Sequence, residues 1–362
     1  MRVGGVAKRL GLVVIGFAVV FALLEVVLRV RFRHGEIVTY VGEPVPDAAS
    51  RWVDHPFFPF VGRSDAAYDI EVPVNGAEVV VHVQNNSYGF RSHEFPERKT
   101  PGDFFIVALG ESTTWGAAAE TNALTWPELL ETRLRARYPT RNIRVFNLGT
   151  QNVTLPYSVV ALSLFAPLTQ PDLVITYHGY NDFGPATARG FRFDHSHFFR
   201  DLAIGLRFPG FQRSLPRRAL SSYAIAYLSA LADDAISANN LAYYVQRNIT
   251  VAHLDDEGIK RVLMREWEHM RTIDAVARGY GGTALFSTFQ FFDGEDRHHR
   301  LVNESLRTFF TANRLAYVDQ EALIPDSDTS LQYDPCHFTR AGDERMAANF
   351  FAYVVEHHLL EN

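Results

Sequence analysis

The chain has 362 residues, of which 47% are hydrophobic and 21% charged, an ordinary globular composition with room for one large domain or two medium ones. Its net charge of −6 is uneven: the first 34 residues carry six basic side chains against Glu25, a net of +5, which leaves the remaining body at −11. An acidic body argues against a broad polyanion-binding surface, so nucleic acid is not an expected partner. The single cysteine, Cys336, excludes an intrachain disulfide framework and a multi-cysteine zinc site, and its position reads as a spacer.

After a short tail over 1–9, Leu10 to Leu28 is apolar except for Gly11, Gly16 and Glu25, long enough for a membrane-spanning helix, and the anchor is assigned to 10–30. No small-x-small cleavage site precedes Arg29 to His34, which favours an uncleaved anchor over a signal peptide. Basic residues flank both ends, so charge does not orient the helix; a short tail inside and an exported body is the simpler topology. This places the chain in an inner membrane with its main domain outside the cytoplasm. Glu25 reaches the interface or a neighbouring helix and is assigned no role.

Residues 31–100 read as a small β-rich, membrane-proximal extension. Tyr68–Val74 and Ala77–Val83 flank Asn75-Gly76, a strong hairpin signal. The aromatic run from His55 to Phe60 is expected to pack against the main domain. Residues 101–362 then alternate between strands and helices. Strands are predicted at Phe104–Leu109, Ile143–Asn147, Asp172–Tyr177, Thr283–Phe289 and Leu315–Val318. Helices are predicted at Thr125–Tyr138, Tyr157–Leu168, Arg297–Asn313 and Ala341–Leu360. The alternation implies an α/β fold, a parallel five-stranded sheet covered on both faces. The interval from about 185 to 255 breaks the rhythm and reads as an insertion over the sheet edge, with a helix-like stretch at Ser221–Leu231.

In such a sheet, ligands bind beyond the carboxyl ends of the strands. Ser112 follows the first strand, Gly149 the second, Asn181 (in Gly179-Tyr180-Asn181-Asp182) the third, and Asp334 with His337 the fifth. A serine hydroxyl becomes nucleophilic when an imidazole accepts its proton and an acid orients that imidazole. Ser112, His337 and Asp334 supply this set. Backbone N–H groups of Ser112 and Gly149 and the Asn181 amide are candidate oxyanion donors.

These residues resemble the SGNH/GDSL hydrolase superfamily, whose four named positions are Ser, Gly, Asn and His in that order. Phe105–Gly116 resembles its first block, Gly149 and Gly179–Asp182 its second and third, and Asp334–His337 its fifth. The likeness covers roughly residues 102–360, and the anchor end Leu24–Arg31 with Asn86–Arg91 resembles bacterial membrane-anchored members. It implies a flavodoxin-like three-layer αβα fold and hydrolysis of an ester, with neither cofactor nor metal. The expected partners are an ester-bearing substrate, an acylated carbohydrate or lipid, and the membrane; oligomeric state is left open.

One departure is Glu111, where the family usually has Asp, a change that bears on loop geometry. Thr113 and Thr114 are expected to cap the helix start. An α/β-hydrolase site would want Gly-x-Ser-x-Gly, and Thr114 occupies the last position. Asp194, His195 and His197 read as polar residues of an inserted loop rather than metal ligands, and His298-His299 and His357-His358 as solvated helix faces. The acyl acceptor stays open between water and a sugar hydroxyl, and a lipase, a lysophospholipase, an O-acyltransferase or a noncatalytic glycan-binding protein keeping the fold remains an alternative.

Overall fold

The structure, a computed structural model, describes residues 3–31, 51–53, 55–58, 60–188, 190–195, 222, 224–225, 228, 254–292 and 297–361. Residues group into two units, 1–50 with 199–250, and 51–198 with 251–362. His197, Pro209-Gly210 and most of the expected Ser221–Leu231 helix lie outside the described residues.

In the first unit a helix runs over Val3–Arg31. Its segment Gly11–Val30 is long and apolar enough to cross a membrane, a property that signal sequences share. Glu25, given no task on sequence grounds, accepts hydrogen bonds from Ser222 Oγ (2.8 Å) and the Ala224 N–H (2.7 Å) and pairs with Arg29. Its carboxylate is thus compensated within the unit, as a charge beside an apolar helix requires.

The second unit opens with two short strands, β1 (Trp52–Val53) and β2 (Val61–Gly62), followed by the hairpin β3 (Ala67–Val74) and β4 (Ala77–Gln84). Asn75 (φ 48°) and Gly76 (φ 85°) both take positive φ, as a two-residue turn between twisted strands demands. The register sets Tyr68 opposite Val83, Ile70 opposite Val81 and Val72 opposite Val79. This apolar face closes on Trp115. Upstream, Phe58 and Phe60 are buried, with Phe58 stacked on Tyr157, as expected for the aromatic run, while Phe57 is exposed.

Five parallel strands follow: β5 (Asp103–Gly110), β6 (Asn142–Asn147), β7 (Leu173–Tyr177), β8 (Thr283–Ser287) and β9 (Tyr317–Val318). Their order is β6-β5-β7-β8-β9. Phe104 to Leu109 are all buried, because a central parallel strand is covered on both faces. Helix Trp126–Arg137 packs with Arg340–Glu356, and Leu155–Thr169 with Glu268–Gly279, giving helical layers around the sheet. The last of these turns His269, Met270, Ile273 and Ala277 inward, the three-to-four-residue spacing of one helix face. The fold is the expected three-layer αβα sandwich with a five-stranded parallel sheet.

Candidate active site

The order β6-β5-β7 puts the strand reversal at β5, and the candidate residues gather at its carboxyl end. Ser112 begins the one-turn helix Ser112–Trp115, which Gly116 ends in a left-handed conformation (φ 87°) that suits a residue without Cβ. Ser112 Oγ lies 2.7 Å from His337 Nε2, and His337 Nδ1 lies 2.6 Å from Asp334 Oδ2. Asp334 also accepts N–H bonds from Cys336 (2.9 Å) and His337 (2.8 Å) through its other oxygen. Burial pushes the Asp334 carboxyl up, but the His337 ring and these two N–H groups outweigh it and hold it down at about 2. An ionised Asp334 can only accept, so Nδ1 of His337 carries the ring proton and Nε2 offers its lone pair to the serine O–H. Tyr333 stacks on His337, centroids 5.6 Å apart and planes 13° apart, which fixes the ring plane. Cys336 is buried, with its Sγ 3.5 Å from His337 Nδ1.

The candidate oxyanion donors are partly engaged. The Gly149 N–H donates to Asn147 Oδ1 (2.9 Å), whose amide in turn donates to the Thr114 carbonyl (2.8 Å). Asn181 Nδ2 donates one proton to the Val153 carbonyl (2.9 Å), and its amide has a second proton to give. Gly149 is also required by space: a Cβ there would stand 2.6 Å from the Trp115 nitrogen and 2.7 Å from the Thr114 carbonyl carbon. The structure therefore brings Ser112, His337 and Asp334 into one hydrogen-bonded chain and sets Gly149 under the Ser112 helix.

Several sequence expectations are revised. Neither Thr113 nor Thr114 caps the helix start: its N-cap is Glu111, without a side-chain cap bond, and both threonine side chains are buried. His299 is buried against Phe291 (3.9 Å between centroids), and His298 stacks on Phe183 (3.6 Å), so this pair belongs to an aromatic layer and only His357 and His358 are exposed. His195 is fully buried, with Thr154 Oγ1 at 2.8 Å and Glu266 Oε2 at 2.6 Å, whereas Asp194 stays exposed beside Arg192. Burial pushes the Glu266 carboxyl well up and the His195 ring down to about 4, so both groups are biased toward their neutral forms.

Other residues of the site escaped sequence reasoning. Arg91 is buried, and its guanidinium donates to the carbonyls of Gly116 (2.6 Å) and Ala119 (2.7 Å) and to Asn122 Oδ1 (2.9 Å), bracing the chain just past Ser112. It also lies over the Trp115 ring, 4.9 Å from its centroid. Its only sequence signal was its place in the Asn86–Arg91 block. Glu111 and His178 form a buried layer behind Ser112 and Asn181. Among the described residues, Glu111/His178/Asp182, Asp182/His195/Glu266, His93/Glu128/Glu131 and Asp334/Cys336/His337 are close enough to hold a cation. The last of these is the serine-linked chain itself.

Chemically, the arrangement can deprotonate Ser112 through His337 while Asp334 supports the imidazolium. The chain holds this arrangement at the carboxyl end of β5. Its sequence matches no protein-family model and no curated protein. In structure it is similar to LAE5, an alpha/beta hydrolase from the metagenome of Lake Arreo, Spain (16% identity, 69% of this chain, 94% of that chain, TM-score 0.40). It is similar also to the lipase/acylhydrolase from Enterococcus faecalis (14%, 69% and 95%, TM-score 0.41) and to the acetyl xylan esterase AlAXEase (12%, 69% and 100%, TM-score 0.40). What those enzymes act on belongs to them, and the function of this chain is read from its own residues.

Proposed function

We propose that this chain is a serine ester hydrolase of the SGNH/GDSL type, tethered to a membrane by its N-terminal helix, with the catalytic domain outside the cytoplasm. The observation that carries the reading is the unbroken Ser112–His337–Asp334 hydrogen-bonded chain at the carboxyl end of β5. Ser112 Oγ attacks the ester carbonyl as its proton passes to His337 Nε2. The oxyanion takes the Ser112 N–H, the second Asn181 amide proton and the Gly149 N–H, which must share its proton with Asn147. Removing one such donor from a hydrolase costs about 3 kcal/mol of transition-state stabilisation. His337 then protonates the leaving alcohol, and water, deprotonated by the same nitrogen, cleaves the acyl-serine. Neither a metal nor a cofactor enters any of these steps.

The substrate class we favour is an O-acetylated carbohydrate of the cell envelope or an exported polymer. The apolar N-terminal helix supports a membrane-proximal substrate, and the family likeness supports an acyl-oxygen bond. The test is turnover by the full chain in detergent of short- and long-chain aryl esters and acetylated glycans, beside Ser112→Ala. Release of acetate from the glycans by the wild type alone is expected. Preference for long acyl chains would reassign the substrate, transfer to an added sugar would make the chain an acyltransferase, and unchanged glycan binding with no turnover would make it a binding protein.

A further inference from the structure

Behind the hydrogen-bonded chain lies a second, wholly buried cluster. Glu111 precedes Ser112 in the chain and Asp182 follows Asn181, so the two acids are the immediate neighbours of the nucleophile and of the amide donor. His178 sits between them, its Nδ1 3.4 Å from Glu111 Oε1 and 3.3 Å from Asp182 Oδ2, while its Nε2 lies 2.8 Å from Ser158 Oγ. Glu111 also accepts N–H bonds from Gly179 (3.0 Å) and Asn181 (3.1 Å), and Asp182 from Leu155 (2.7 Å). All three side chains are buried.

We propose that His178, as an imidazolium shared by Glu111 and Asp182, is a positioning residue that locks the nucleophile turn and the Asn181 loop at a fixed spacing. This rests on the hydrolase reading above. Burial pushes the Glu111 carboxyl up, whereas for Asp182 the His178 ring outweighs burial and holds the carboxyl down, so a neutral ring would leave a buried carboxylate charge uncompensated and a proton on the ring removes it. Burial by itself lowers the ring's affinity for that proton, but Asp182 and Glu111 reverse the effect and hold His178 at about 9. The other titratable groups around the cluster are Glu266, pushed well up by burial, His195 and His269, both lowered by burial, and Tyr177, held protonated by burial.

The test compares the full wild-type chain with His178→Gln and Glu111→Gln, which keep polar atoms but remove the charge. Misplacing a reacting group by a fraction of an ångström to 1 Å costs on the order of tenfold to a hundredfold in rate, so a fall in kcat of that size is expected, with KM within about twofold. The wild-type kcat should also decline above about pH 9, and His178→Gln should lack that limb. Exchange of the Gly179 and Asn181 amide protons, followed by hydrogen–deuterium exchange, should accelerate in both variants. That readout needs no turnover, so it tests the clamp even if no ester is hydrolysed, which would instead sink the hydrolase reading. Should His178→Gln not fold, Ser158→Ala removes only the Nε2 partner and should show the same changes on a smaller scale. Unchanged kcat, pH limb and amide exchange would overturn the proposal. So would a stoichiometric divalent metal, found by elemental analysis in the wild type and lost in His178→Gln, because a cation would then replace the shared proton.

Discussion

Asn75, at the tip of the β3–β4 hairpin, donates its side-chain amide to the Gln332 carbonyl (3.0 Å), two residues before Asp334. The same hairpin closes its apolar face on Trp115, three residues after Ser112. It therefore touches both chain segments that meet in the Ser112–His337 contact. Asn75→Gly keeps the turn's positive φ and removes only this bond. An exposed hydrogen bond contributes about 1 kcal/mol, so urea unfolding should show a loss of that size. Looser positioning of Asp334 should lower kcat several-fold.

Arg91 should matter far more to stability. Its guanidinium donates to the buried Ala119 carbonyl and, beside the Ala119 N–H, to the Gly116 carbonyl, and truncation removes both bonds. Arg91→Ala is expected to cost about 3 kcal/mol or more by thermal unfolding, and Arg91→Lys to recover little, because an ammonium lacks the planar fork.

Gly149→Ala tests the close approach under the Ser112 helix. The added methyl meets backbone at 2.6 and 2.7 Å, and backbone cannot turn aside as a flexible side chain can. Overpacking of this kind costs about 1–3 kcal/mol, and here the displaced backbone belongs to the Ser112 helix. Activity should fall more steeply than melting temperature does.

Acid should loosen the site in a defined window. Asp334 sits at about 2 in the fold against 3.8 ordinarily, so its pairing with His337 stabilises the native state fully above about pH 4. That contribution fades as pH falls toward 2. Asp334→Asn should flatten this part of the pH–stability curve. It should also lower kcat by about 10⁴-fold, because an amide can hold the wrong tautomer of His337.

The parallel sheet was legible because the strands Phe104–Leu109 and Asp172–Tyr177 are short apolar runs separated by helical periodicity. The site was legible because Ser112, Gly149, Asn181 and Asp334/His337 each follow a strand. What the sequence hid depends on side chains meeting across long separations. His178 and Glu266 are ordinary polar letters until folding buries both, with His195, which read as a loop residue. His298-His299 read as solvated because a helix's inward face depends on what covers it, here Phe183 and Phe291. The tasks of Arg91 and Asn147 follow from carbonyls and N–H groups that become neighbours only in the fold.

The central claim is that Ser112 is the nucleophile. Its most direct test is to quench the full chain during turnover of a short-chain aryl ester, or after a fluorophosphonate, and map the adduct by peptide mass spectrometry. An acyl or phosphonyl group on Ser112, lost in Ser112→Ala and slowed in His337→Ala, is the predicted result. An adduct on a different residue, or equal turnover by Ser112→Ala, would contradict it.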